Sequence, residues 1–216
     1  MKILLSTFLL ILIFDMSTSN AQLIRRFGIK AGFTSANQNW DWLQGTGVTY
    51  NSKSRVGADA GLFIELLNIP FISFITEVDY IQKGSEVNTN IPITTAQNPD
   101  GLGQYYRFST RINYLSVPIL VKLRLYGKLL TPYILFGPRF DFKLSGSSNL
   151  NGNSSSNIFK SNDVGGTFGI GFDFKHVLPF HIGAEFRYSP SFRYCYSVKY
   201  LSVKNSSLEF LMVLSY

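Results

Sequence analysis

Residues 180–188 read Phe180-His181-Ile182-Gly183-Ala184-Glu185-Phe186-Arg187-Tyr188. Every second residue, from Phe180 to Tyr188, is apolar, and the residues between them are His181, Gly183, Glu185 and Arg187. Successive side chains of a strand point to opposite faces, so this stretch describes a strand with one oily side and one charged side.

The same alternation recurs along the chain. Residues 27–34 set Phe27, Ile29, Ala31 and Phe33 against Gly28, Lys30, Gly32 and Thr34. Residues 56–66 set Val56, Ala58, Ala60, Leu62 and Ile64 against Gly57, Asp59, Gly61, Phe63 and Glu65. Further strands are predicted near 72–80, within 112–125, and near 136–144, 167–175 and 207–216. Together they make an all-β, eight-stranded antiparallel sheet. Long polar segments at 35–54, 84–109, 145–163 and 189–206 alternate with short links at 67–70, 126–131 and 176–179. That rhythm predicts an up-and-down transmembrane β-barrel with tight periplasmic turns, long extracellular loops and both termini in the periplasm.

The orientation of the wall follows from size and charge. An eight-stranded barrel has an interior just wide enough for side chains. The charged parity also carries Gly28, Gly32, Gly57, Gly61, Gly137, Gly169, Gly171 and Gly183, which suit a cramped side, whereas the Phe- and Leu-rich parity suits an open one. The opposite arrangement, a soluble lipocalin-like calyx around an apolar ligand, is the rival reading. With the oily side outward, the lumen receives Lys30, Lys122, Arg124, Arg139, Lys143, Lys175 and Arg187 together with Asp59, Glu65, Glu77, Asp79, Asp141, Asp173, Glu185 and Glu209. The signs nearly cancel, which predicts paired ions and a plugged interior, because an unpaired buried charge is costly. A charge-selective pore would show one sign in excess. Glu77 and Asp79 share a face, and Lys122 and Arg124 on the following strand are their expected partners.

The address is equally legible. Lys2, the apolar run of residues 3–14 and the small residues Ser19, Asn20 and Ala21 predict a signal peptide over 1–21, leaving a barrel domain over 22–216. No later stretch is long and apolar enough for a spanning helix. Across 216 residues, 45% are apolar and 15% aromatic, enough for one ordered domain. The net charge of +7 in an exported chain points to lipid headgroups or lipopolysaccharide rather than nucleic acid. Outward aromatics near strand ends (Phe27, Phe33, Tyr80, Phe180, Tyr188 and Tyr216) are expected as girdles. Phe210, Met212, Leu214 and the terminal Tyr216 resemble the signal read by the barrel-insertion machinery.

No chemistry of catalysis stands out. His176 and His181 have no zinc-like neighbours, and Gly165-Gly166-Thr167-Phe168-Gly169 opens no helix. No serine is singled out as a nucleophile, and the lone Cys195 makes no intramolecular disulfide. The chain is therefore expected to be non-enzymatic and without cofactors. Tyr194, Tyr196 and Tyr200 with Arg193, Lys199 and Lys204 make the last loop aromatic and basic, suited either to a partner or to headgroups.

Several ordered motifs resemble the PorT-like outer-membrane β-barrel family of Bacteroidetes-type bacteria. They are Gly28-Ile29-Lys30-Ala31-Gly32, the segment from Glu77 to Gly84, Tyr114-Leu115-Ser116-Val117-Pro118 running into Lys122, Pro132-Tyr133 with Gly137-Pro138, and Glu185-Phe186-Arg187-Tyr188. Ser116 stands where members often carry an acid. The resemblance implies a small outer-membrane barrel and, as one further role, a component of a protein-secretion apparatus with an envelope protein partner.

Overall fold

The computed structural model describes the backbone of residues 23–42, 52–67, 69–95, 98–125, 127, 130–148, 159–174, 180–198 and 201–216; side chains are described for these except 40–42, 87–95, 98–108, 198 and 201. The strands are β1 (Ile24–Trp42), β2 (Ser52–Leu66), β3 (Ile72–Thr95), β4 (Asn98–Arg124), β5 (Leu130–Ser148), β6 (Asn162–Phe174), β7 (His181–Pro190), β8 (Tyr196–Val198) and β9 (Leu201–Ser215). Each pairs antiparallel with the next through β7, which pairs with β9. β9 also pairs with β1, from Gly28↔Ser215 to Trp42↔Leu201. Eight strands thus close on themselves, which leaves the barrel wall no free edge. The short β8 is an accessory strand on β9. The predicted signal peptide, Lys175, His176, Lys199 and Tyr200 lie outside the described residues.

Burial alternates along each strand as the sequence pattern requires. β5 illustrates it: Pro132, Ile134, Phe136, Phe140 and Phe142 are exposed, while Tyr133, Leu135, Arg139 and Asp141 are buried. Phe140, Phe172 and Phe210 are 39%, 37% and 39% exposed and point away from the enclosed space. The calyx reading is therefore overturned, since the apolar parity lies outside. Along β4 the outward apolar residues run from Leu115 to Leu125. At about 3.3 Å per residue and a tilt near 40°, that run spans roughly 25 Å along the barrel axis, the height of a bilayer-facing band.

The strands run well past this band. β1 continues to Trp42 within the segment expected as a loop at 35–54, β5 reaches Ser148 within 145–163, and β3 and β4 form a hairpin within 84–109. Likewise β8 and the start of β9 form a small hairpin inside 189–206. Those segments are rich in Asn, Ser, Thr and Gly, and apolar residues such as Val87, Ile91 and Ile93 are too sparse among them to stand out as a strand; Thr, Ile, Val and Tyr still favour extended backbone, and ladder pairing continues. A bulge between β2 and β3 interrupts the register between Ser54 and Asp59. Opposite it sits Gly84, whose φ of 152° and approach to the Thr110 carbonyl leave no room for a side chain.

Candidate functional site

The interior is built in tiers, each joining residues from strands far apart in sequence. At the end bearing the short links, Glu65 of β2 accepts from Arg26 Nη2 at 2.8 Å, from Ser73 Oγ at 2.8 Å and from Arg124. Arg26 Nη2 also donates to Asp173 at 2.7 Å, and Lys122 Nζ donates to Asp173 at 3.0 Å while lying 3.6 Å from the Tyr133 ring centre. In the middle tier, Lys30 donates to Glu77 at 2.5 Å and to Glu185 at 3.0 Å. Arg187 forks onto both oxygens of Glu77 at 2.7 and 2.8 Å and onto Glu185 at 2.8 Å, and Tyr133 donates its hydroxyl to Glu185 at 2.8 Å. The Tyr133 ring packs over Gly171, where a Cβ would come within 2.6 Å of it. Higher still, Lys83 donates to Asp141 at 2.6 Å and Arg139 Nε to Asp141 at 3.1 Å, with Arg139 Nη1 3.9 Å from Glu209.

Among the described residues two apolar clusters complete the interior. One gathers Phe63, Ile75, Leu120, Tyr133, Leu135 and Val213. The other, toward the long-loop end, gathers Ile81, Ile112, Tyr114 and Phe159, with Tyr196 packed against it. Phe159 precedes β6, and its ring lies 6.5 Å from that of Tyr196. Polar side chains thread the same end, with Ser85 donating to Gln38 at 2.7 Å and Gln38 to Asn205 at 3.2 Å. Among the described residues Arg139 Nη2 and Asp141 Oδ1 are buried without a hydrogen-bond partner, the kind of group that ordered water satisfies.

Of the residues expected in the lumen, Asp59, Glu65, Glu77, Asp79, Lys122, Arg124, Arg139, Asp141, Asp173, Glu185, Arg187 and Glu209 are all buried and inward. Lys143 is half-buried and donates to the Phe159 carbonyl at 2.6 Å. The pairing expected between Glu77 or Asp79 and Lys122 or Arg124 is corrected: Glu77 reaches across the barrel to Lys30 and Arg187, while Lys122 and Arg124 serve Glu65 and Asp173. Strand neighbours set the register, yet long side chains in a narrow lumen meet those from the opposite wall. Asp79 instead lies over Gly61. Arg26, Lys83 and Asp163 are further interior ions that the strand boundaries drawn from sequence left out. Lys83 shares the parity of Glu77 and Asp79, so extending that parity would have found it.

Outside, Tyr216 stacks near Phe27 at 6.1 Å and Phe180 at 6.2 Å, and Phe33 lies 5.4 Å from Phe210. In the last loop, Lys204 Nζ sits 4.7 Å from the Tyr194 ring centre. Cys195, beyond the end of β7, is buried and donates to the Val203 carbonyl at 3.3 Å. Burial, with the Asp163 charge adding to it, pushes its thiol up to about 12, so it is a poor nucleophile at neutral pH. Among the described residues no group of three or more acids, histidines or cysteines is placed to hold a metal ion.

A closed eight-stranded barrel, an apolar belt of bilayer height and ions confined to the interior define an integral outer-membrane barrel. Residues 20–196 match the model of the outer membrane protein beta-barrel domain, and the chain belongs to that family. Similar solved structures include Ail, the attachment invasion locus protein of Yersinia pestis (15% identity, 88% of this chain and 98% of that one, TM-score 0.43). Neisserial surface protein A is another (16%, 87% and 95%, TM-score 0.45), as is OprG from Pseudomonas aeruginosa (12%, 88% and 94%, TM-score 0.44). No curated protein matches the chain.

Proposed function

We propose that this is a non-enzymatic barrel with a plugged lumen, which holds an extended extracellular hairpin above the membrane for surface display or partner contact. The observation that carries the reading is the stacked interior, where ion tiers anchored on Glu65, Glu185 and Asp141 alternate with apolar clusters and every anchoring carboxylate is buried. Ions tied to two or three partners each have little freedom to swing aside for a solute, and leaving any of them unpaired is costly. Planar-bilayer recording of the refolded barrel should show no steady conductance, and liposomes containing it should resist swelling in small sugars. A stable open channel would sink the proposal.

The short links and both termini are assigned to the periplasm, and the long hairpin to the outside. Lipid and lipopolysaccharide headgroups are the expected surface partners, Lys204 beside Tyr194 offering one cationic contact at the upper rim. The strand of Phe210, Met212, Leu214 and Tyr216 supplies the insertion signal, and residues 1–21 the export signal. Protease added to intact cells should cut the β3–β4 hairpin and spare a tag placed after Tyr216.

A second reading, a PorT-type secretion component, draws on that same hairpin. β3 and β4 continue to pair from Asn88↔Arg107 to Thr95↔Asn98 after their pairing with β2 and β5 has ended at Val87 and Thr110. Such a ribbon exposes backbone edges to which a partner strand can add. Deletion of the gene should then deplete secreted proteins, and the barrel should co-purify with envelope partners only while residues 88–107 are present.

A further inference from the structure

Ala184 is out of character for its place. It belongs to the outward parity of β7, between the half-buried Ile182 and the exposed Phe186, yet it is only 7% exposed. It forms the floor of a furrow of about 540 Å³ in the outer wall, walled by Phe172, Phe186 and Phe210 with Leu125 and Pro132 toward the short-link end. A second depression of about 570 Å³ shares Ile134, Ile170 and Phe186 with it and continues along β6 and β7 to Phe168 and Tyr188. From Ala184 to Tyr188 alone the distance is roughly 13 Å at about 3.3 Å per residue. Together the two depressions extend across the outer wall from β4 to β9 and along β6 and β7, are almost free of polar atoms and open directly onto the bilayer-facing belt.

We infer that this furrow is a binding site for one acyl chain of a phospholipid from the periplasmic leaflet. Its opening is continuous with the surface already solvated by hydrocarbon, so the occupant is drawn from the bilayer. Within the bilayer there is no hydrophobic gain from burial, and contact is decided by packing. A dent left unfilled forfeits dispersion contacts on all its walls, and a single flexible chain threads an elongated trough better than a rigid protein knob does. The periplasmic leaflet is chosen because Leu125 and Pro132 flank the 126–131 link; this step rests on the orientation proposed above.

The test uses barrel extracted from its own outer membrane in mild detergent and weighed intact by native mass spectrometry. Wild type should retain one phospholipid mass, Ala184→Leu should lose it, and Val78→Leu on the opposite wall should keep it. Heat-modifiable gel migration establishes that all three are folded, and Ala184→Met provides a second filling variant. A bare wild-type barrel, or a lipid mass retained equally by both filling variants, overturns the site. Retention of a lipid A mass that Ala184→Leu abolishes keeps the furrow as a lipid site but overturns the leaflet and the orientation beneath it. Cross-linked dimers through Ala184→Cys, with no lipid mass, would replace the lipid by a second copy.

Discussion

The barrel wall at the level of the belt and the β3–β4 ribbon beyond it are made of the same two strands under different rules. Between Ile72 and Ile81 each residue of β3 has a fixed destination: Phe74 and Val78 outward to the belt, Glu77 and Asp79 inward to the ions. Past Val87 the backbone ladder continues to Thr95 with β4 as its partner among the described residues. In the first region side chains decide the structure, because hydrocarbon on one side and a narrow lumen on the other penalise any exchange of faces. In the second, what joins the two strands among the described residues is the backbone ladder between them.

The contrast is sharpest in the middle tier. Arg187→Met removes the guanidinium that bridges Glu77 and Glu185 and leaves Lys30 as their shared cation. Breaking a buried ion network by removing one partner costs about 3–5 kcal/mol. Urea unfolding in lipid vesicles should record a loss of that size, and adding Glu77→Gln should recover part of it by removing the stranded charge. If Arg187→Met unfolds like wild type, the tier is decorative and the inward rule fails.

On the outer face, Phe172→Arg puts a cation in the belt two residues from the end of β6, with an expected cost between the roughly 1 kcal/mol of the interface and the roughly 2–4 kcal/mol of the midplane. Assembly in vivo should also fall, read as loss of the heat-modifiable band. Insertion and stability equal to wild type would mean that the Phe172 surface does not meet hydrocarbon. A smaller effect tests the wall between the faces. Gly171→Ala drives a Cβ into the Tyr133 ring and so disturbs its hydroxyl's bond to Glu185. Overpacking of this kind costs about 1–3 kcal/mol, and a neutral result would show that the ring moves freely.

These two regions also explain what could be read from sequence. Where both faces are specified, as at Phe180 to Tyr188, alternation marks strand, direction and burial together, and the interior position of Glu185 and Arg187 follows directly. The partners do not follow, because contact across a lumen depends on barrel diameter and tilt: nothing in the spacing of Glu77 shows that Lys30 and Arg187 meet it rather than Lys122. Interior apolar residues such as Ile75, Leu120 and Leu211 were equally silent, since an aliphatic side chain on the charged parity reads as an exception until the cluster around it is seen. The extension of β3 and β4 is hard to read because its apolar parity, Val87, Ile91 and Ile93, is interrupted by Thr89 and set among Asn, Pro and Gly residues that signal a loop.

The ribbon gives the smallest effect expected and the cleanest separation of the two rules. Replacing residues 88–107 by a two-residue Asn-Gly turn, which suits a tight hairpin, removes backbone pairs that contact neither β2 nor β5. A lone two-stranded hairpin is marginally stable by itself, so its loss should change the unfolding free energy of the barrel by no more than about 0.5 kcal/mol, as for surface changes elsewhere. Heat-modifiable migration and insertion should stay as in wild type. A drop as large as that of Arg187→Met would show that the ribbon folds back and supports the barrel, and the distinction between a wall fixed by its side chains and an extension held by its backbone would have to be abandoned.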